Sequence, residues 1–517
     1  MINKLFESII SQICSQHFSR NFRYSHPLIL ILLMTPIFSA IAQSAQVNWS
    51  WSGAVTESSF RVNARTSVDS VAVRLIVSLN SDLSSPTYSS LDTALGIKNN
   101  RIVKLRIDSL LPGTDYYYGF EIDGVKDTTA YGRSRTFADG PHSFTIALAS
   151  CAQTGSTHEV FNTIRSHDPV LFLHLGDLHY QNIAANNINL YRNAFESVMA
   201  SPPQAALYRD IPIAYIWDDH DYGPNNSDST SASKSAARLA YREHLPHYPL
   251  SSGEGNVPIN YAFSIGRVRF IVCDMRSARS PAFSTDNPTK TMLGASQKEW
   301  FKRQLLVANG RYPLIVWVNT LPWIGNTGDD GWYLYTNERR EIANFIADND
   351  IRGLCMLSGD AHMLAIDDGT NSDYSTSERA AFPVFHAAAL DQTGSIKGGP
   401  YSHGAFAGRG HFGLMTVSDD GDSTISVSWS GRNQDDAPII EYSFTVPVRN
   451  IVCGDANGNA AIDLADVVLL VDHIFSGGTA PQTLSNGDAD GNLYLTVSDA
   501  VTLLRYLLLG GSEPLCP

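Results

Sequence analysis

The feature that most constrains this chain is a set of short apolar runs, each ending abruptly in acidic, histidine or thiol residues. Ala147-Leu-Ala-Ser150 runs into Cys151-Ala-Gln153, and Leu171-Phe-Leu-His-Leu-Gly176 into Asp177-Leu-His-Tyr180. Ile213-Ala-Tyr-Ile-Trp217 leads to Asp218-Asp-His-Asp221, and Gly353-Leu-Cys-Met-Leu-Ser-Gly359 to Asp360-Ala-His362. Short apolar runs bounded by turn signals read as buried strands. Between them lie helical patterns such as HEVFNTIRS, ASKSAARLAYREHL, GASQKEWFKRQLLVA and NERREIANFIADN. Alternation of this kind predicts an α/β layered domain. Ligands of such sheets bind outside the carboxyl ends of the strands, where these polar groups fall. Four acidic loops converging there repel one another unless cations lie between them.

The pattern extends over 143–446, with a β-rich finish in HFGLMTVS and STISVSWS. Upstream, 46–140 carries alternating runs, SFRVNARTS, SVAVRLIVSL and NRIVKLRIDSL, separated by Gly, Pro, Asn and Asp. Those signals predict a β-sandwich. Its stretch Leu110–Tyr118 resembles the tyrosine corner of immunoglobulin-like and fibronectin-like domains. A length of 517 residues suits about three domains. The formal charge of −14 supplies no electrostatic reason to bind nucleic acid or anionic lipid, though it suits calcium.

Residues 1–42 read as a signal peptide. Arg20 and Arg23 precede the apolar Leu28–Met34, and Ala40-Ile41-Ala42 fits a cleavage site. The apolar run is short for a span of about 20 residues. The expected location is therefore secreted, cell-surface or periplasmic, with no transmembrane segment after cleavage. Cysteines stand at 14, 151, 273, 355, 453 and 516. Cys273 and Cys355 read as buried small hydrophobes within strands. Cys453 and Cys516 bracket the C-terminal segment and are expected to pair in an oxidising compartment.

That segment, 453–516, repeats with a period of 33: Gly454-Asp-Ala-Asn-Gly458 answers to Gly487-Asp-Ala-Asp-Gly491. Asp455, Asn457, Asn459 and Asp466 have EF-hand-type spacing, as do Asp488, Asp490, Asn492 and Asp499. Each loop runs into an apolar helical pattern. The pair resembles a type I dockerin, which implies bound calcium and a cohesin-like partner. Ala460 and Leu493 stand where position six is usually glycine.

The series SC-x-Q, GD-x-x-Y, W-D-D-H-D, D-M-R-x-x-R and SGD-A-H resembles the PhoD-like branch of the metallophosphoesterases, over approximately 46–446. The resemblance implies a phosphate monoesterase or diesterase with iron and calcium. Carried over, Cys151, Asp177, Tyr180 and His362 would surround ferric iron. Asp177, Asp219 and Asp360 would hold neighbouring calcium, with Asp177 bridging. His220 would act on the reacting phosphate and Arg276 would grip it, with Arg279, Asn225 and Asn226 nearby. Gln153 stands where some members have Asp, and Thr320 where the wider superfamily has a metal-binding His. Members often use a twin-arginine signal, but Arg20 and Arg23 are not adjacent. The competing reading is an inactive extracellular binding protein anchored through its dockerin-like module.

Overall fold

The computed structural model describes residues 45–514 apart from Thr327, 449–451, Gln482 and Leu493. The expected signal at 1–42, Cys516 and Leu493 lie outside the described residues.

Two sheets meet at the centre. The first has nine strands in the order Pro438–Pro447, Thr424–Arg432, Phe412–Ser418, Phe144–Ala149, Leu171–His174, Ile213–Tyr215, Val47–Gly53, Phe60–Thr66 and Ile102–Ile107. The second has seven, in the order Tyr261–Ile265, Val268–Val272, Leu314–Val318, Leu354–Ser358, Val384–Ala387, Met363–Asp367 and Ala405–Ala407. The strands carrying the polar ends pair in parallel within each sheet.

Side chains alternate across a strand, and both faces of these strands are covered. Leu314, Val316 and Val318 join the core shared with Ile146 and Leu148. Ile315 and Trp317 join an outer core with Phe301 and Ile342, from helices Ala295–Arg311 and Thr336–Asp348. Burial on both faces explains why these strands read as unbroken apolar runs. Cys273 and Cys355 are buried and free, as expected.

The N-terminal segment forms two layers. One is Val47–Gly53 with Phe60–Thr66 and Ile102–Ile107; the other centres on Val71–Ser78, Asp115–Ile122 and Val125–Arg135. Tyr116 Oη accepts the Leu111 N–H at 2.8 Å, which fastens the strand Asp115–Ile122 to the turn before it. The first layer is not a separate sandwich half, because Gly53 pairs in parallel with Ile213 and continues the central sheet. Trp51 Nε1 also donates to the His244 carbonyl at 2.6 Å across this seam. Pairing consumes a sheet edge that would otherwise present unpaired backbone groups.

At the C-terminus, helices Leu464–Ser476 and Val497–Leu509 pack around Ala456, Val467, Leu470, Ala489, Ala500 and Leu503. Both begin with reciprocal capping: Asp466 accepts the Asp463 N–H at 2.8 Å, and Asp499 the Thr496 N–H at 2.7 Å. Asp455 accepts from Asn459 and Ala460 N–H at 3.0 and 2.8 Å, curling the first loop round its own carboxylate. Cys453 is disulfide-bonded.

Ala460 sits at φ 68°, in the left-handed region that costs a β-carbon-bearing residue about 1–2 kcal/mol. Ala460→Gly is therefore expected to stabilise the C-terminal module by about 1 kcal/mol. Calorimetric melting of the full chain in calcium checks this, and an unchanged or lower module transition contradicts it.

Candidate metal centre

Four strand ends deliver the site. Phe144–Ala149 leads to Cys151, Leu171–His174 to Asp177, Ile213–Tyr215 to Asp218 and Asp219, and Leu354–Ser358 to Asp360 and His362. Cys151, Asp177, Asp360 and His362 have φ of 64°, 56°, 55° and 52°. Left-handed backbone in non-glycine residues carries a cost that the surrounding structure must impose. Here it turns each chain off its strand so that four side chains converge.

The convergence is tight. Ligand atoms of Cys151, Asp177 and His362 lie within 4.8 Å of one another, as do those of Asp177, Asp219 and His220, and those of Asp218, Asp219 and Asp360. Tyr180 Oη donates to Asp177 Oδ2 at 2.7 Å and lies 3.0 Å from His362 Nε2. All six expected ligands, Cys151, Asp177, Tyr180, Asp219, Asp360 and His362, thus occupy one cradle. His220 Nε2 stands 4.0 Å from Asp219 Oδ2, and its ring stacks on Tyr180 with centroids 4.1 Å apart.

The donor set fits cations. Asp177 Oδ1, Asp218 Oδ2 and Asp219 Oδ1 are buried without a hydrogen-bond partner among the described residues. Buried polar atoms are normally satisfied. Burial, then repulsion from Asp219, Asp218, Asp221 and Asp360, pushes the Asp177 carboxyl well above its usual range. Burial and the Asp177 and Asp360 charges likewise raise the Cys151 thiol. Cations in the cradle reverse both effects, because they favour the ionised donors.

Two supports hold the carboxylates. Asp221 accepts the N–H groups of Asp177, Leu178 and Asp218 at 2.6, 2.8 and 3.1 Å, bracing one metal loop with another. Arg276 binds Asp218 through Nε, lies 3.6 Å from Asp219 through Nη2, and donates from Nη2 to Asp330 at 2.9 Å. Arg279 completes the cluster, forming an ion pair with Asp330 at 2.6 Å and donating to Tyr335 Oη at 2.7 Å.

Arg276 and Arg279 are both fully enclosed and pair with carboxylates beneath the cradle, Arg276 through Nε and Nη2 and Arg279 through Nη2. Motif spacing identifies such arginines but not the direction in which they face. Asn226 N–H caps Asp219 at 2.6 Å, and Asn225 N–H donates to Asn182 at 3.1 Å. His179 is buried against Tyr191 and Phe195. Thr320 is buried and Gln153 exposed.

The sequence reading missed Lys397. Its Nζ donates to Asp360 Oδ2 at 2.9 Å, and its side chain keeps 27% exposure at the cradle. The surrounding loop is tied to the last metal motif: Ser395 N–H donates to the His362 carbonyl at 3.1 Å, and the Thr393 carbonyl meets His362 Nδ1 at 2.8 Å. A lysine within Thr393-Gly-Ser-Ile-Lys-Gly-Gly-Pro400 carries no local signal of this placement. Asp330, in a Gly-flanked Asp-Asp turn, was equally invisible.

Residues 146–403 match the model of the PhoD-like phosphatase family. Alkaline phosphatase D of Bacillus subtilis is 24% identical over 310 residues, which are 50% of this chain and 53% of that protein. The chain thus matches about half the length of this curated relative. A solved structure of PhoD superposes with a TM-score of 0.63 at 19% identity, covering 77% of this chain and 89% of that one. The purple acid phosphatase PPD1 of yellow lupin gives 0.52 at 13% identity, covering 78% and 74%. The mixed α/β architecture is therefore that of PhoD and the purple acid phosphatase.

Asp330 keeps two buried arginines from repelling each other. Asp330→Asn is expected to lower stability by about 3–5 kcal/mol, the usual cost of breaking a buried ion pair. Urea unfolding measures it, and a loss below about 1 kcal/mol would mean that the cluster does not depend on this charge.

Proposed function

We propose that this chain, whose central domain is PhoD-like in sequence and fold, is a metal-dependent phosphoesterase acting on phosphate monoesters or diesters. The observation that carries this reading is the single buried cradle combining thiol, phenol, imidazole and carboxylate donors beside His220. Cys151, Asp177, Tyr180 and His362 suit ferric iron, while Asp177, Asp219 and Asp360 suit calcium. Cations held by these residues would supply charge neutralisation for a phosphoryl group and activation of a water nucleophile.

The chain's own residues supply positioning and proton transfer. Asn182 Oδ1 accepts from His220 Nδ1 at 2.8 Å and from Asn225 N–H. That contact keeps a proton on Nδ1 and leaves Nε2 to exchange one with the reacting group. Lys397, fixed by its loop and partly exposed, takes the phosphate-gripping role first given to Arg276. The fit of loop spacing and capping favours a dockerin-like C-terminal module with two calcium ions. Its exposed Leu464, Val468 and Phe475, with Val497, Val501 and Leu508 on the repeat-related helix, would meet a cohesin-like partner. The export signal read in 1–42 accords with a secreted, cell-surface or periplasmic location.

Substitutions at three positions test the reading. His220→Ala should retain its metals and lose about 10²–10⁴-fold in kcat; near-full turnover would remove His220 from the chemistry. Lys397→Met should raise KM and the inhibition constant of inorganic phosphate, with partial rescue by Lys397→Arg and unchanged metal content. An unaltered KM would show that Lys397 only braces Asp360. Tyr180→Phe should abolish a visible charge-transfer band of the purified protein, and active protein containing zinc without iron would overturn the iron assignment.

A further inference from the structure

Away from the metal centre, basic residues gather where the N-terminal sheet layer meets the loop after helix Lys234–His244. In the pairing of Phe60–Thr66 with Ile102–Ile107, Arg61 stands directly opposite Arg106 and Asn63 opposite Lys104. Directly paired residues share a face, so this layer presents three cations together, an arrangement that like-charge repulsion disfavours. Arg106 is neutralised by Asp108, its Nε and Nη2 both 2.7 Å from Oδ1. Arg61 and Lys104 side chains make no hydrogen bond or ion pair among the described residues.

A cavity of about 400 Å³ opens beside them, lined also by Arg242, His247 and Glu254. Arg242 pairs with Glu254 and donates to the Gly253 carbonyl, yet its Nε is buried without an acceptor. His247 Nδ1 is 2.7 Å from the Tyr248 carbonyl and its ring stacks on Tyr241, which fixes its orientation and leaves Nε2 uncommitted. Burial, followed by repulsion from Lys104, Arg61 and Arg242, holds His247 at about 4 despite the Tyr248 hydrogen bond. The ring is therefore neutral near pH 7, with Nε2 an acceptor.

We propose that Arg61, Lys104, Arg242 and His247 form a second anion site, which binds a phosphate group that retains a proton. Two guanidinium groups and an ammonium match its charged oxygens, while His247 Nε2 accepts from its O–H. A diester group has no such proton, whereas free phosphate keeps one at pH 7 and a monoester keeps one below its second pKa of about 6, so the chemistry is that of free phosphate or of a monoester on a larger molecule. Glu254, the carboxylate on the lining, is 91% exposed and already held by Arg242, so it leaves the cavity's charge positive. The site does not depend on the activity proposed for the metal centre.

Calorimetric titration of the metal-loaded full chain with inorganic phosphate should find one more site than in the Arg61→Met/Lys104→Met variant. Lys104→Met alone should weaken that site at least tenfold, and its affinity should fall as sodium chloride screens the cations. Phenylphosphonate, a monoester analogue resistant to hydrolysis, distinguishes the sources. Tighter binding than inorganic phosphate assigns the cavity to an ester-borne phosphate, and weaker binding assigns it to free phosphate. The double variant removes unpaired cations, so it should keep the kcat of the parent on a small soluble ester and melt no lower. Equal stoichiometry and affinity in parent and double variant, with both probes, overturn the site. If the metal centre itself holds no phosphate, the count falls from one to zero rather than from two to one, and the two failures remain distinct.

Discussion

Arg276 is the charge on which the cradle rests. Two successive carboxylates, Asp218 and Asp219, emerge buried into the cradle, with Asp177 and Asp360 close enough to repel them. Burial alone would push the Asp219 carboxyl up, yet Arg276, then His220, the Asn226 N–H and Lys397, hold it below the usual range. The guanidinium comes from the second sheet and its target from the first. The same junction is sealed nearby by Trp217 Nε1, which donates to Asp274 Oδ1 at 2.8 Å. Electrostatics of the site and docking of the two sheets are thus one interaction.

Local backbone strain is the other cost of the site. Cys151, Asp177, Asp360 and His362 all leave their strands through left-handed conformations, which a flat continuation of the sheet would not require. Backbone contacts hold them there: Ala152 N–H bonds the Asp177 carbonyl at 2.9 Å, Cys151 N–H the Gly176 carbonyl at 3.2 Å, and Leu390 N–H the Ser150 carbonyl at 2.9 Å. Each ligand loop is fastened to a neighbour rather than to its own strand. The donors are thereby positioned by contacts within the fold, which is the preorganisation a reactive site needs.

Arg276, Arg279 and Lys397 neutralise carboxylates at the metal cradle. Arg61 and Lys104 instead stand at the seam where the N-terminal layer extends the central sheet. Continuity of that sheet joins segments far apart in sequence, and it creates the basic cavity as a by-product of closing an edge.

Much of this was legible in the residues themselves. Apolar runs of strand length fixed the α/β class because a strand buried on both faces needs apolar residues at every position. Their abrupt polar ends marked the four loops that converge, and the resemblance to PhoD-like enzymes singled out the six donors within them. The period-33 repeat likewise foretold two matching loop–helix units sharing one small core. Other features depended on contacts between distant segments. Whether Arg276 faced substrate or carboxylate was decided by Asp218 and Asp330, which sequence spacing does not bring near it. Lys397 gained its place only because loop 391–400 folds back on His362, and the N-terminal layer lost its independence through pairing at Gly53. Periodicity and turn chemistry are local and can be read along the chain; the direction of a charge and the partner of a sheet edge are set by whatever the fold places opposite them.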